Sequence, residues 1–383
     1  MILGQSLCLY QLRILIRTIN GRIFIMKRII LTGGGTAGHV TPNIALLPRL
    51  RELQYDIHYI GSYNGMEKQL VEQQGIPYHG ISSGKLRRYF SLQNFTDPFR
   101  VLKGFSEANR LIKQLKPDVI FSKGGFVSVP VVIAGKKNHV PVIIHESDMT
   151  PGLANKLCIP VAEKVCCNFP ETMKNIPADK AVLTGSPIRA ELAEGSKLAG
   201  LNMCGFTANK PVIMVIGGSL GAANVNKAVR DALPKLLEDF QVVHLCGKDK
   251  IDNLLLNTPG YKQFEYIKAE LKDIFAMADI VISRAGANAI CELLALKKPN
   301  ILIPLPAASS RGDQLLNAAS FEAQGYSIVL NEDDITTNLL VDKVHELYFN
   351  RQNYVDAMSK SHQMDAVKTI MELINAAADK KTN

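Results

Sequence analysis

The amino-acid sequence predicts an α/β protein with two Rossmann-like, doubly wound domains that face each other across a cleft. Short β-branched runs alternate with helical patterns, which is typical of parallel sheets covered by helices on both faces. A buried strand followed by a Gly-rich turn and a helix start occurs once in each half, at 29–40 and at 212–223. The 383 residues are enough for two such domains.

The predicted strands are short apolar runs bounded by Gly, Pro or polar residues. They are Arg28–Leu31, Ile57–Ile60, Val119–Phe121, Val142–Ile144, Val212–Ile216, Val242–Leu245, Ile280–Ser283 and Asn300–Pro304. Helical periodicity fills several of the intervals between them. It is clearest in Ala108–Leu115, Ala223–Leu237 and Ala289–Leu296. The tail from about Val355 to Ala378 is predicted to form one or two helices.

These elements divide the chain into four expected segments. Residues 26–187 form the first domain, 188–354 the second, and 355–383 a helical tail that is free to pack back on the first domain. Residues 1–25 are expected to be an appendage outside the fold, because basic residues interrupt their apolar residues and no signal-peptide core is present. A start codon assigned too early, a short basic amphipathic leader and a helix on a membrane surface are the three interpretations of this appendage.

The net charge of +9 is unevenly distributed. Residues 1–28 carry +5 and residues 84–123 carry +6, so the remainder is slightly acidic. Nucleic-acid enzymes usually spread positive charge along a groove, whereas two local stretches suit an anionic membrane surface. The seven Cys show no CxxC or Cys/His spacing, which argues against a disulfide framework or a structural metal. Because the positive charge is concentrated in two local stretches, we expect no nucleic-acid partner.

The first Gly-rich turn, Gly33–Gly38, has the sequence GGGTAG and satisfies the GxGxxG pattern. Glycine allows close backbone approach, and the following helix N-terminus favours an anion. A dinucleotide site would place an acid at the end of the second strand, but Ile57–Ser62 has none, which argues against an NAD-dependent oxidoreductase. His39 follows the turn, either as a polar helix-start residue or as a general base that faces the cleft.

Two further turns of the first half follow predicted strands. Ser122–Pro130 is Gly-rich, and His145–Lys156 (HESDMTPGLANK) concentrates titratable groups at a strand's carboxyl end. The alternative for the second turn is a helix cap by Asp148 or Thr150. Because ligands of doubly wound folds bind at the carboxyl ends of strands, both turns are expected to line the cleft.

Three turns of the second half have the same placement. Gly217–Gly221 offers backbone N–H groups to a phosphate. Ser283–Glu292 opens a helix whose N-terminus is suited to a diphosphate, with Glu292 accepting two sugar hydroxyls or compensating the helix dipole. Asp313 and Gln314 either bind a sugar's hydroxyls or cap a helix.

Together these motifs resemble those of the MurG family of bacterial cell-wall N-acetylglucosaminyltransferases, which have the GT-B fold. They are Gly33–Pro42 (GGGTAGHVTP), Gly124–Ser128, His145–Lys156, Gly217–Ala222, Ser283–Glu292 and the pair Asp313–Gln314. The resemblance covers about residues 26–375 and looks like the Gram-positive branch. It implies an inverting transfer of N-acetylglucosamine from UDP-N-acetylglucosamine to the muramoyl 4-hydroxyl of lipid I, which yields lipid II and UDP.

The resemblance also implies site residues. The second domain would hold the donor and the first the lipid acceptor. The implied donor-binding residues are Thr36, Gly38, Arg189, Gly218, Ser219, Gly221, Asn288, Ala289, Glu292, Asp313 and Gln314. The implied acceptor-binding residues are Gly35, Gly124, Gly125, Ser128 and Asn155. His39 is the family's candidate base.

Three positions depart from the best-known form of the family. Asp148 stands in place of Asn, Leu220 in place of Gln, and Asp313 in place of Gln. A carboxylate at position 148 is a second candidate for the base, and Glu146 is a third. The assignment of the base therefore stays open among these residues and His39.

We expect neither a metal nor another cofactor. No DxD sequence stands in a strand-end turn, and Glu332–Asp334 is interpreted as a polar helix start. Inversion needs a base on the acceptor hydroxyl and stabilisation of the leaving diphosphate. Helix N-termini and Arg189 can supply that stabilisation.

Basic and aromatic residues interleave between positions 84 and 105. Arg87, Arg88, Tyr89, Phe90 and Phe99 are expected to form a peripheral anchor on the anionic cytoplasmic face of the cell membrane. The alternative is a core helix with its charges on the outer face. Cell-wall synthesis and division proteins are candidate partners.

Two other function classes compete with this interpretation. One is another GT-B enzyme, such as a natural-product glycosyltransferase or a UDP-N-acetylglucosamine 2-epimerase. The other is a non-catalytic lipid- or nucleotide-binding module, against which both Gly-rich turns and Glu292 argue.

Overall fold

A computed structural model describes residues 17–19, 22–24, 26–84, 93–217, 222–307, 312–361 and 365–382 of the chain. Near the N-terminus, strands β1 (Arg17–Ile19) and β2 (Arg22–Phe24) pair with each other in antiparallel register. The surface-helix alternative for residues 1–25 is therefore wrong for these six residues. Asn20-Gly21 lies between the two strands in the sequence, and that dipeptide is typical of two-residue hairpin turns.

Every strand pair in the two larger sheets is parallel. The first sheet contains β3 (Arg28–Thr32), β4 (Asp56–Ser62), β5 (Tyr78–Ile81), β6 (Val119–Ser122), β7 (Val142–Glu146), β8 (Lys164–Cys167) and β9 (Ala181–Leu183). The second contains β10 (Val212–Ile216), β11 (Gln241–Leu245), β12 (Tyr261–Phe264), β13 (Ile280–Ser283), β14 (Asn300–Leu302) and β15 (Ser327–Val329). Their strand orders are β5-β4-β3-β6-β7-β8-β9 and β12-β11-β10-β13-β14-β15. In both sheets the strand order first runs outward from the first strand, β3 or β10, to one edge and then continues on that strand's other side, as in doubly wound folds.

Helices cover both faces of each sheet. In the first half they are α1 (Thr41–Ala45), α2 (Leu47–Glu52), α3 (Met66–Glu72), α4 (Gln93–Leu115), α5 (Ser128–Lys137) and α6 (Leu153–Cys158). In the second half they are α7 (Lys197–Cys204), α8 (Ala223–Asp239), α9 (Leu271–Met277), α10 (Ala287–Ala295), α11 (Asp313–Ala323), α12 (Thr337–Phe349), α13 (Arg351–Ser359) and α14 (Ala366–Thr382). Among these described helices, none has the length and hydrophobicity needed to cross a bilayer.

The core has one hydrophobic layer on each face of each sheet. Along β3, Ile29 and Leu31 pack on one face and Ile30 packs on the other, as the two-residue period of a strand requires. The C-terminal helix α14 buries Ile370 and Ile374 in the layer that contains Ile29 and Leu31. The end of the chain thus completes the hydrophobic core of the first sheet.

These observations confirm the predicted α/β class with two doubly wound domains. The sequence prediction missed β5, β8, β9, β12 and β15, and it began α4 at Ala108 rather than Gln93. The missed strands are only three or four residues long, and several mix polar with apolar residues, as in β12 (YKQF). Such runs are held as strands by pairing with a neighbour and are hard to detect from their own pattern.

Candidate functional site

The three predicted turns of the first domain lie side by side, because β3, β6 and β7 are neighbours in the sheet. Two of them are in direct contact at Gly125, which has a φ of 86°. A Cβ atom there would lie 2.3 Å from the Gly34 carbonyl oxygen. A Cβ atom on Gly124 would lie 3.4 Å from the amide of Asn155. The structure therefore brings four of the expected acceptor-binding residues together: Gly35, Gly124, Gly125 and Asn155.

His39 ends the short 3₁₀ helix Ala37–His39 after the first turn. Its Nδ1 lies 3.0 Å from the Gly34 carbonyl oxygen and 3.1 Å from the Thr36 hydroxyl. A carbonyl oxygen can only accept, so this contact selects the tautomer that carries its proton on Nδ1. The lone pair then lies on Nε2, as a general base at that atom requires.

A buried carboxylate lies beneath the first turn. Glu67, on α3, is fully buried and accepts hydrogen bonds from the Ser62 backbone N–H at 3.0 Å and the Ser62 hydroxyl at 2.5 Å. Its other oxygen accepts from the Gly35 N–H at 3.3 Å. Glu67 is not among the residues predicted from the sequence, although the glycines at 34, 61 and 65 leave space that its carboxylate fills. Glu67 thus fixes the orientation of the Gly35 peptide.

Glu146 organises the third turn. One carboxylate oxygen accepts from the Asp148 N–H at 3.0 Å, and the other accepts from the Gly152 N–H at 3.0 Å and the Asn155 amide at 2.8 Å. Glu146 is also buried. This geometry suits a residue that holds a loop and argues against Glu146 as the base. His39 and the half-buried Asp148 are the better-placed candidates.

Ser128 and Asn155 are buried rather than open to the cleft. The Ser128 hydroxyl donates to the Gly125 carbonyl oxygen at 2.7 Å, and the Asn155 amide also donates to the His145 carbonyl oxygen at 3.1 Å. Both side chains therefore hold the turns in place. Direct contact with an acceptor fits the backbone of Gly124 and Gly125 better.

Lys123 is a second buried ionisable residue that is not among the predicted site residues. Only 1% of its surface is exposed, and its ammonium group donates to His145 Nδ1 at 2.7 Å and to the Ser147 hydroxyl at 2.5 Å. His145 in turn donates from Nε2 to the Gly185 carbonyl oxygen at 2.9 Å. Burial, and then the neighbouring Lys123, hold the pKa of His145 well below its usual range. His145 is thus a neutral link between the turn and the segment after β9.

The second domain places its turns in the same way, since β10, β13 and β14 are neighbours. Gly218, Ser219, Leu220 and Gly221 lie outside the described residues, as do Arg87, Arg88, Tyr89 and Phe90 of the expected membrane anchor. Asn288 and Ala289 lie in the first turn of α10. The Asn288 amide crosses the cleft and donates to the Gly38 carbonyl oxygen at 3.0 Å.

Glu292 follows Asn288 by one helical turn and faces Arg189, with 3.8 Å between the carboxylate and the guanidinium. Burial raises the pKa of Glu292, and Arg189 opposes that shift. Arg189 comes from the segment between β9 and β10, and its Nε is buried without a hydrogen-bond partner among the described residues. The guanidinium of Arg189 thus meets a carboxylate of α10 one helical turn after Asn288.

Asp313 and Gln314 begin α11, which follows β14. Gln314 Oε1 accepts from the Leu305 N–H at 3.1 Å, so this side chain also orders the turn before the helix. The acidic run Glu332–Asp334 is a 3₁₀ helix whose Glu332 forms a buried ion pair with Arg284. Arg284 also donates to the carbonyl oxygens of Ile303 and Pro304. This pairing agrees with a structural role for Glu332.

Comparison with known proteins identifies the family. Residues 29–167 match the glycosyltransferase family 28 N-terminal domain, and residues 212–374 match its C-terminal domain. The UDP-N-acetylglucosamine–N-acetylmuramyl-(pentapeptide) pyrophosphoryl-undecaprenol N-acetylglucosamine transferase of Lachnospira eligens is 65% identical over 91% of this chain and 99% of its own. The enzyme of that name from Lachnoclostridium phytofermentans is 64% identical over 91% of this chain and 98% of its own.

Solved structures agree with that assignment. The crystal structure of Acinetobacter baumannii MurG is 28% identical, covers 91% of this chain and 99% of its own, and superposes with a TM-score of 0.72. A putative UDP-N-acetylglucosamine 2-epimerase from Listeria monocytogenes shares the fold alone, at 13% identity, with coverage of 93% and 97% and a TM-score of 0.68. The resemblance drawn from the motifs is thereby confirmed, and the chain belongs to the MurG family of GT-B glycosyltransferases within glycosyltransferase family 28.

Proposed function

We propose that this chain transfers N-acetylglucosamine from UDP-N-acetylglucosamine to the muramoyl 4-hydroxyl of lipid I, with inversion, to give lipid II and UDP. The names of its 64–65% identical relatives support this substrate pair. The structural observation that carries the proposal is the contact between Asn288 and Gly38. It brings the donor-side helix α10 to the turn that ends in the candidate base His39, so that the two substrates can meet in one cleft.

On the donor side, the chain's own residues offer the contacts that a nucleotide sugar needs. We propose that the carboxylate of Glu292 accepts hydrogen bonds from two ribose hydroxyls. The first turn of α10, with Asn288 and Ala289, presents N–H groups and the positive end of the helix dipole to a diphosphate. Arg189 adds a positive charge beside Glu292, one helical turn after Asn288. Ser219 and its flanking glycines, with Asp313 and Gln314, are proposed to hold the diphosphate and the sugar.

On the acceptor side, one base and one in-line displacement complete the reaction. His39 Nε2, or the Asp148 carboxylate, takes the proton from the 4-hydroxyl. The oxygen then forms a bond to the anomeric carbon while the bond from that carbon to the diphosphate oxygen breaks. Negative charge develops on the departing UDP, where Arg189 and the N-terminus of α10 stabilise it. Protein groups thus cover each charge that forms, and we propose that no divalent metal takes part.

The deciding experiment measures transfer of radiolabelled N-acetylglucosamine to a lipid I analogue, with and without chelator. We expect a lipid-II-like product from the wild type in both conditions. Loss of turnover with chelator, and its rescue by one divalent ion, would overturn metal independence. Release of a UDP-linked epimer without acceptor would replace the proposed reaction with that of an epimerase.

The base is identified in the same assay with His39→Ala and Asp148→Asn. We expect the substitution of the true base to lower kcat by about 100- to 10,000-fold, the usual contribution of general base catalysis. Near-normal turnover of His39→Ala would assign the role to Asp148. Glu146→Gln should instead act through the loop, because its carboxylate accepts three hydrogen bonds from that loop.

We further propose that the protein lies peripherally on the cytoplasmic face of the cell membrane. The exposed fractions of Phe99 and Leu102 on α4 are 74% and 65%, and Arg100 and Lys103 on the same helix are exposed as well. Apolar side chains beside basic ones suit the surface of an anionic bilayer. Their exposure argues against the core-helix alternative for this part of α4. Contacts with cell-wall synthesis and division proteins remain a prediction.

A further inference from the structure

The loop between β7 and α6 carries Asp148, and Lys123 is the buried cation beneath it. The ammonium group donates to His145 and Ser147, at 2.7 and 2.5 Å. These two partners flank Glu146 in the sequence, and Ser147 directly precedes Asp148. Lys123 belongs to a different turn, the one after β6. One side chain therefore ties two of the cleft's three turns together.

Several further bonds make this arrangement rigid. The Asn168 amide donates to the Ser147 carbonyl oxygen at 3.0 Å, and the Thr172 hydroxyl donates to that of Asp148 at 3.2 Å. On the other side of the imidazole, His145 holds the Gly185 carbonyl oxygen in the segment that leads to the second domain. We expect the loss of the ammonium group to shift the loop, since a side-chain network can contribute more than the sum of its pairs.

Lys123 also affects the electrostatics of the loop. Burial lowers the pKa of Lys123 to about 8, and the nearby Glu146 and Asp148 oppose that shift. The nearby Cys291 thiol stays neutral, because burial raises its pKa to about 12. In its protonated form the lysine offsets the negative charge of the loop. A buried cation without partners would be strongly disfavoured, so the lysine depends on its hydrogen bonds to His145 and Ser147.

We propose that Lys123 is a positioning residue for the transfer reaction: its buried ammonium group holds the Asp148 loop at the cleft and balances the loop's carboxylates. The proposal rests on the function proposed above. Lys123 does not touch the reacting atoms, and it acts through Ser147, His145 and Asp148. Lys123 is not among the proposed donor-binding or acceptor-binding residues, so this role adds a residue to the site.

The first test compares Lys123→Met with the wild type in the transfer assay. Methionine keeps the length of the side chain and removes its charge and its donors. We expect kcat to fall by about 10- to 100-fold while the KM for UDP-N-acetylglucosamine changes by less than about threefold, since a misplaced loop affects the reacting groups more than donor binding. Lys68→Met, on the exposed face of α3, is the matched control and should keep the wild-type kcat.

The second test asks whether Lys123 and Asp148 act as a unit. Asp148→Asn is measured in the wild type and in the Lys123→Met background. We expect the second substitution to cost much less in that background, because a displaced loop has already lost what Asp148 contributes. Equal losses in both backgrounds would overturn the proposal, as would a wild-type kcat for Lys123→Met.

A third measurement does not depend on turnover. Hydrogen exchange of the Asp148 and Gly152 amides, both bonded to Glu146, should accelerate in Lys123→Met and remain unchanged in Lys68→Met. Unchanged exchange rates in Lys123→Met would contradict the positioning role. This test is separate from that of the proposed function, which a lack of sugar transfer by the wild type would contradict. If Lys123→Met does not fold, Ser147→Ala removes one partner of the ammonium group, and wild-type exchange and kcat in that variant would overturn the proposal.

Discussion

The side-chain amide of Asn288 donates a hydrogen bond of 3.0 Å to the carbonyl oxygen of Gly38 and joins the two domains across the cleft. The glycine is required by this contact, since a Cβ atom at position 38 would lie 2.8 Å from the same amide nitrogen. Two residues from opposite halves of the chain thus bring α10 into contact with the turn that carries His39.

Gly38→Ala should therefore disrupt the hydrogen bond that joins the two domains at Asn288. The Asn288 side chain can turn away from the new methyl group, but its hydrogen bond is then lost. We expect kcat/KM to fall by about tenfold, equivalent to one hydrogen bond. Steady-state transfer kinetics measure this loss, and Asn288→Ala alone should give a similar loss. The double variant should be no worse than either single one, whereas additive losses would show that the two residues do not act through their contact.

Glu292→Gln should weaken binding of the donor. A carboxylate can accept from both ribose hydroxyls, whereas an amide offers one acceptor oxygen. We expect the Kd for UDP-N-acetylglucosamine, measured by calorimetry, to rise by about 10- to 100-fold. Preference for the ribose over its 2′-deoxy analogue should disappear in the variant. Glu322→Gln on the exposed side of α11 is the control, and a preserved ribose preference in Glu292→Gln would contradict the assignment.

Membrane attachment should depend on both the basic and the apolar residues of the expected anchor. Arg87→Ser, Arg88→Ser and Phe90→Ala together should release the protein from anionic vesicles in a sedimentation assay. Phe99→Ser with Leu102→Ser should weaken binding independently, because both side chains are largely exposed on α4. Phe349 is 85% exposed on α12, so Phe349→Ser tests whether any exposed aromatic residue would do. Undiminished binding of the triple variant would refute the anchor.

Acid should destabilise the fold through two buried histidines. Burial lowers the pKa of His244 to about 3, and the pKa of His145 is also far below its usual value. As pH falls below about 6.5, the unfolded chain takes up protons that the folded chain does not, so stability falls by up to about 1.4 kcal/mol per pH unit for each histidine.

Urea unfolding between pH 7 and pH 4 measures this slope. His244→Gln should reduce the dependence of unfolding free energy on pH by the contribution of one proton. His345 is exposed, and its hydrogen bonds to the Val341 carbonyl oxygen and then to Asp239 raise its pKa. It therefore contributes with the opposite sign, and His345→Gln should not flatten the slope. An unchanged slope in His244→Gln would show that its imidazole is already protonated or solvated in the folded state.

The sequence alone determined the fold class, the place of each Gly-rich turn and the family. These properties follow from local pattern: apolar runs such as Val212–Ile216 fix a buried strand, and a glycine turn after the strand fixes where a ligand approaches. The pairing of β1 with β2 is equally local, because the intervening sequence Asn20-Gly21 is typical of two-residue hairpin turns.

Only the tertiary structure decided what lies beneath those turns. Nothing in the local pattern around Glu67 or Lys123 shows that each charge is buried under a turn formed by another part of the chain. The assignment of Glu146 to a loop-holding role and the Asn288–Gly38 contact depend on hydrogen bonds that form only after the strands have been ordered in their sheets. A local pattern specifies which strands and turns form, whereas the partner of a buried polar group is set by which segments the fold places side by side.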